Sequence, residues 1–130
     1  MRILHATSEL YPYSKTGGLA DMVDGLAKAL ATHRQEVAVV SPLYRGLKER
    51  FPGWERAGDD FAGPLGARTL SARLWMRRPT THLTLYFVEQ PELFDRAGLY
   101  QEQGVDYADN AARFIFFSKC VAHLARHLPE

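Results

Sequence analysis

The sequence predicts an α/β fold in which a mostly parallel sheet carries flanking helices and an attached antiparallel hairpin. Two short apolar runs, Ile3–Ala6 and Val37–Val40, bracket a segment whose apolar residues recur at helical spacing. Strand, helix and strand within about forty residues form a right-handed βαβ unit by default, with parallel strands. A third observation marks the hairpin. Leu70, Ala72, Leu74 and Met76 alternate with Thr69, Ser71, Arg73 and Trp75, the period of two that belongs to a half-exposed strand.

The elements follow in order. The first strand, Ile3–Ala6, ends in the polar Thr7-Ser8-Glu9, and a loop from Leu10 to Gly18 carries Tyr11-Pro12-Tyr13. The helix begins at Leu19, with Leu19, Val23, Leu26, Ala27 and Leu30 expected to face the core. Asp21 and Asp24 lie in its opening turns, where acids suit the helix dipole. Val37–Val40 is closed by Ser41-Pro42, and turn signals then cluster at Phe51-Pro52-Gly53, Gly58 and Gly63-Pro64-Leu65-Gly66. Asp60-Phe61-Ala62 is the expected partner of the alternating strand, whose Arg73, Arg77 and Arg78 are expected to keep the hairpin solvated. Leu83–Val88 is apolar on both faces apart from Thr84, so it reads as a central strand. After a loop with Pro91, Gly98 and Gly104, Asp106 is expected to cap a last helix that runs to Leu128. Its core stripe is Phe114, Phe117, Val121, Leu124 and Leu128, with Phe116 widening it, and Asp109 and Arg113 are spaced to pair at i,i+4.

Composition narrows the function. A chain of 130 residues, 46% hydrophobic and 24% charged, is one ordinary globular domain, here spanning 1–130. Sixteen basic against fifteen acidic residues leave a charge of +1, which excludes nucleic acid as the main partner. The single cysteine, Cys120, rules out an internal disulfide and a cysteine-rich zinc site; it fits a reducing, cytoplasmic setting and a core position beside Phe117, Val121 and Leu124. Glu9 interrupts the apolar start, and no run approaches the ~20 apolar residues of a membrane helix, so no membrane partner is expected. His123 and His127 have metal-compatible spacing but no evident third ligand, so no metal is expected and the pair reads as a solvated face.

The chemistry-bearing segment is Lys15-Thr16-Gly17-Gly18-Leu19-Ala20-Asp21, between the first strand and the first helix. A helix N-terminus presents unpaired N–H groups and partial positive charge, which favour an anion. Glycines allow close backbone approach, and lysine adds a full charge. The order of residues matches neither the Walker loop, with its lysine after the second glycine, nor G-x-G-x-x-G. Two readings stand on shape alone: a phosphate site, or a tight turn with a surface lysine.

The opening Arg2-Ile3-Leu4-His5-Ala6-Thr7-Ser8-Glu9 with Lys15-Thr16-Gly17-Gly18-Leu19-Ala20-Asp21 resembles that of bacterial glycogen synthases and plant starch synthases. Leu93-Phe94-Asp95-Arg96, Gly98-Leu99-Tyr100 and Tyr107-Ala108-Asp109-Asn110-Ala111-Ala112-Arg113-Phe114 resemble later signatures of that family, in matching order. The resemblance implies the N-terminal, Rossmann-like lobe of a two-lobe (GT-B type) retaining glucosyltransferase. Such an enzyme moves glucose from ADP-glucose, a substrate rather than a cofactor, to the non-reducing end of an α-1,4-glucan. It implies that Lys15, Thr16, Gly17, Gly18 and Asp21 meet the donor, with Lys15 offsetting charge on the leaving phosphate and Gly17 and Gly18 donating N–H groups. Asp21 then faces sugar hydroxyls, Lys15 or an amide, or is simply a first-turn acid. Tyr100 faces a sugar or is a half-buried loop aromatic; Asn110 reaches the cleft or is architecture; His5 faces the cleft or sits hydrogen-bonded in the core.

The strand ending near His-Asp-Trp and the second lobe of such enzymes, with its arginine, lysine and acidic pair, have no counterpart in this chain. It reads as a piece of a larger protein, inactive alone, with an apolar sheet edge and a wide face around Phe116 that favour self-association. The alternatives are a glycosyltransferase for another nucleotide sugar, a non-catalytic lobe that binds glucan or a partner, and a flavodoxin-like anion-binding module.

Overall fold

The computed structural model describes residues 1–128. In chain order its elements are β1 (Arg2–Ala6), α1 (Gly18–Thr32), β2 (Glu36–Pro42), α2 (Leu47–Arg50), β3 (Glu55–Arg56), β4 (Phe61–Leu65), β5 (Arg68–Thr80) and β6 (Leu83–Glu89). Then come α3 (Pro91–Phe94), β7 (Gln101–Glu102), β8 (Val105–Asp106) and α4 (Asn110–His127). The main sheet runs β1-β2-β6-β5-β3, with β4 also on β5. β1, β2 and β6 are parallel, with Leu4 opposite Ala38 and Ala38 opposite Thr84. β5 turns back antiparallel to β6, and its first half pairs with β4 from Phe61↔Ala72 to Leu65↔Arg68, the hairpin the alternation predicted.

Side-chain alternation along β6 puts the two long helices on opposite faces. Leu83 and Leu85 share a cavity wall with Ala27 of α1, whereas Tyr86 shares one with Leu124 of α4. β6 is apolar on both sides because both sides are covered, and Phe87 and Val88 are fully buried. α1 ends where Arg34 takes a φ of 61° and the Gln35 amide returns to the Leu30 carbonyl at 3.1 Å.

Each helix buries part of its expected stripe, Val23 and Ala27 on α1 and Phe117 and Leu124 on α4, and replaces the rest with neighbours. On α1 the buried residues are Ala20, Val23 and Ala27, while Leu19 and Leu26 are 41% and 43% exposed. The small alanines let the helix axis approach the sheet, which leaves the leucines on its flanks. On α4 the buried set is Arg113, Phe116, Phe117, Cys120 and Leu124, and Phe114, Val121 and Leu128 are only partly covered. Phe116 is fully buried against Phe61 of β4, ring centroids 6.0 Å apart, so it contributes no exposed wide face. The exposed apolar residue there is Ile115. Cys120 is core, as its neighbours predicted, and burial pushes its thiol up to about 12.

Three local expectations are corrected. Asp106 caps nothing: it lies in β8, and α4 starts only after Asp109, because the turn at Gln103 and Gly104, both with positive φ, folds 101–106 into a hairpin first. Asp109 does not pair with the Arg113 side chain; it takes Arg96 Nη1 and Nη2, both at 2.7 Å, while the Arg113 guanidinium turns inward. Arg77 is architecture rather than a solvating charge, since its guanidinium bonds the Pro52 carbonyl and the Tyr13 hydroxyl and lies over Phe51 and Trp54.

Placement of α4 predicts an asymmetry between adjacent residues. Phe116→Ala lowers unfolding stability by about 3–5 kcal/mol, whereas Ile115→Ala changes it by less than about 0.5 kcal/mol. Urea denaturation of both variants checks which face of α4 meets the core.

Candidate functional site

The carboxyl ends of β1 and β2 meet the loops before α1 and α4. β1 continues through a Thr7 amide bond to the Val40 carbonyl at 3.0 Å, which delivers Ser8 and Glu9 to the end of the sheet. Beyond it the chain closes on itself at Leu10 and Ser14, and the Tyr11 amide bonds the Ala20 carbonyl at 3.3 Å, tying the loop to the start of α1. Lys15–Gly18 is thereby held between the end of a strand and the start of a fifteen-residue helix.

Glu9 organises this region. The residue is 4% exposed, and its carboxylate accepts three hydrogen bonds. Oε1 accepts the Thr16 amide at 2.6 Å, and Oε2 accepts the Thr16 hydroxyl at 2.8 Å and the Tyr100 hydroxyl at 2.6 Å. Because the Tyr100 hydroxyl donates to Glu9, the Ser8 hydroxyl 2.6 Å away donates to it in turn. Burial alone raises the Glu9 pKa, but the bonds from Tyr100 and Thr16, with the Gly17 amide close by, outweigh it and hold the carboxyl below its ordinary value. Burial first, and then the bond to Glu9, push the Tyr100 hydroxyl up to about 12. Tyr44, on the loop after β2, closes the network by donating to the Ser8 carbonyl at 2.7 Å.

The expected site residues divide into two groups. Lys15 and Asp21 pair at 2.6 Å with about half of each side chain exposed, and Asp21 raises the lysine's pKa. Gly17 is the residue before α1, and the helix start has no side-chain cap. A Cβ built on Gly17 or Gly18 would meet nothing within 4 Å beyond its chain neighbours and the backbone of its own helix. The chain's own packing therefore does not demand glycine at either position. Thr16 is turned inward onto Glu9. The second group is engaged inside the fold: Asn110 donates to the Tyr100 carbonyl at 2.9 Å and accepts from Arg113 at 2.8 Å, and the Tyr100 ring lies 5.8 Å from Phe114. His5 sits on β1 opposite Val39, partly covered, with Nε2 lacking a hydrogen-bond partner. His123 and His127 stack at 4.2 Å, and no group of three metal-ligating side chains occurs among the described residues.

Arg113 supports the same region from below. It is fully buried, donating to the Leu93 carbonyl at 2.7 Å, the Leu99 carbonyl at 2.8 Å and Asn110. Gly98 is required here by close approach, since a Cβ would lie 1.9 Å from the Gln101 carbonyl oxygen. Sequence reasoning missed Glu9 and the inward turn of Arg113. The available signal was that Glu9 is the only acid before Asp21 and directly follows an apolar strand.

The lowered Glu9 pKa fixes a pH dependence. A carboxyl that titrates lower when folded contributes stability that is whole above its ordinary value of 4.5 and is lost as pH falls through the folded value. Wild type therefore exceeds Glu9→Gln in urea midpoint at about pH 7, and the gap narrows as pH falls below 4.5.

Three comparisons bear on this arrangement. A family model described as the starch synthase catalytic domain matches residues 2–130. The glycogen synthase of Syntrophotalea carbinolica is 39% identical over 119 residues, 92% of this chain and 24% of that protein. That of Anaeromyxobacter sp. strain K is 41% identical over 125 residues, 95% of this chain and 25% of that one. The catalytic domain of Starch Synthase IV from Arabidopsis thaliana, solved bound to ADP and acarbose, superposes with a TM-score of 0.77 at 26% identity, over 95% of this chain and 24% of that chain. The chain thus spans about a quarter of the length of the relatives it matches. With its lysine-glycine loop at the carboxyl end of β1 and a family match from residue 2 to residue 130, this chain belongs to the starch synthase catalytic domain family.

Proposed function

We propose that residues 1–130 form the N-terminal, Rossmann-like lobe of a two-lobe glycogen or starch synthase. The enzyme transfers glucose, with retention, from ADP-glucose to the non-reducing end of an α-1,4-glucan. One observation carries the reading: the Lys15–Gly18 loop stands at the carboxyl end of the parallel strands with space around both glycines that no protein atom fills. That is the place where open α/β sheets take ligands. The Arabidopsis relative's ADP supports a nucleotide diphosphate as occupant.

In this reading the bond between the glucose C1 and the diphosphate oxygen breaks, and negative charge gathers on the leaving phosphate. Lys15 turns from Asp21 to that phosphate, and the Gly18 amide approaches the same oxygens, whereas the Gly17 amide, expected to do likewise, faces the Glu9 carboxylate. Asp21, released, faces the sugar hydroxyls. Tyr100 bonds Glu9 behind the loop and Asn110 holds the Tyr100 carbonyl, and with His5 they are the further side chains offered to sugar or glucan; no cofactor or metal is invoked. The loop carries two carboxylates, Glu9 and Asp21, against one ammonium, so on its own it is a poor trap for a dianion. The grip on the donor must come from a second lobe, which is this lobe's principal partner together with donor and glucan. A buried free cysteine fits a cytoplasmic home.

Lys15→Ala in the two-lobe enzyme lowers kcat by about 10²–10³-fold, the cost of removing one charge stabiliser from a transition state. Steady-state glucosyl transfer checks this, and wild-type kcat would sink the reading. The 130-residue chain alone shows no transfer. Because β1 has no neighbour on its outer side among the described residues, the chain also self-associates. A single concentration-independent species in sedimentation velocity counts against that.

A further inference from the structure

We propose that Glu9 is the positioning residue of the Lys15–Gly18 loop. Its buried carboxylate sets the position from which Lys15 and Gly18 reach the diphosphate, and locks that position to the Tyr100 loop. The idea rests on the donor reading above and adds to it a residue that touches no substrate.

The geometry carries the inference. The Thr16 amide and hydroxyl both end on Glu9, at 2.6 and 2.8 Å, so the peptide between Lys15 and Thr16 cannot shift without breaking a charge-assisted bond. Lys15 and Gly17 flank that fixed point. The same carboxylate takes Tyr100, 91 residues away in sequence. From Tyr100 the connection is unbroken: its carbonyl accepts Asn110 at 2.9 Å, Asn110 accepts Arg113 at 2.8 Å, and Arg113 also holds the Leu93 and Leu99 carbonyls. Glu9 itself is seated by the Thr7 hydroxyl, which accepts the Glu9 amide at 3.2 Å and donates to the Glu9 carbonyl at 2.7 Å. The loop is therefore referenced to the first turn of α4 as well as to β1.

A carboxylate suits the role better than any neutral side chain. It accepts from an amide and two hydroxyls at once, and donates nothing that could compete. Glutamine can imitate the arrangement: its oxygen takes the Thr16 amide, its NH₂ faces the Thr16 and Tyr100 hydroxyls, and both hydroxyls can rotate to accept. Alanine cannot. Position and charge are separable by this pair.

Two measurements test the proposal. In the 130-residue chain, amide hydrogen exchange by NMR reports the Thr16 N–H directly. Protection is expected in wild type and Glu9→Gln and lost in Glu9→Ala; an unprotected Thr16 amide in wild type overturns the clamp. In the two-lobe enzyme, Glu9→Ala is expected to lower kcat per folded molecule by about 10–100-fold, the penalty for an ångström-scale misplacement, with the KM for glucan unchanged. Glu9→Gln is expected to recover most of that loss. Tyr100→Phe, which keeps the ring on Phe114 and guards against misfolding of the alanine variant, is expected to lower kcat in the same direction by a smaller factor. Wild-type kcat in folded Glu9→Ala or Tyr100→Phe overturns the role, and so does a Glu9→Gln enzyme as poor as Glu9→Ala. Lys15→Ala, assayed alongside, separates the two ideas. Wild-type transfer in Lys15→Ala sinks the donor reading and the positioning role with it. A crippled Lys15→Ala beside an unimpaired Glu9→Ala sinks the positioning role alone.

Discussion

An ionised carboxylate withdrawn from water costs several kcal/mol unless donors replace its hydration, and the region around the candidate site follows from how Glu9 meets that requirement. Its donors come from separate stretches of chain: Thr16 beyond the Leu10–Ser14 turn and Tyr100 from the far side of the sheet. Satisfying the charge and fixing the relative position of those stretches are one event. Removing a single donor would leave a buried acceptor short, so the arrangement resists partial rearrangement.

Arg113 is the counterpart of opposite sign, and its solution differs. Among the described residues no carboxylate bonds the fully buried guanidinium; the Leu93 carbonyl accepts from Nε, the Leu99 carbonyl and the Asn110 side chain accept from Nη1, Nη2 has no hydrogen-bond partner, and the rings of Phe94, Tyr107 and Phe114 lie within 5.4 Å of its centre. Burial draws its pKa down, and the nearby Arg96 adds to this. Aromatic faces and oriented carbonyls are soft, distributed acceptors, suited to holding irregular loops that offer no ladder of their own. The Tyr107–Phe114 stretch is accordingly a support built beneath Tyr100.

Placing two carboxylates beside one lysine also shapes what the lobe can do. An ammonium held by Asp21 stays charged and oriented, yet the local field is not strongly positive. Under the proposed function such a loop needs another surface to bring the diphosphate to it. The division of labour in the proposed two-lobe enzyme follows from that charge balance, with glycines leaving room for an approach the chain does not itself fill.

The βαβ start and the β4–β5 hairpin were legible from periodicity, because a period of two or 3.6 reflects which side of an element meets the core, while β6 showed as a continuous apolar run and the loop as a lysine and two glycines ahead of a helix. The buried stripes of α1 and α4 were legible only in part: Val23, Ala27, Phe117 and Leu124 are buried as expected, but Ala20 rather than Leu19 or Leu26 meets the sheet, and Phe116 rather than Phe114 is fully buried, against Phe61. Periodicity cannot see the partner's shape. The chain by itself determined its family and the order of its long elements, both local or linear properties, while the short α2, β3, α3 and the β7–β8 hairpin did not show in it. Which carboxylate holds the loop, which hydroxyl answers it, and why Arg113 turns inward were decided only in three dimensions. Hydrogen-bond satisfaction of a buried charge depends on groups ninety residues apart arriving within 3 Å, and no spacing rule along the chain encodes that.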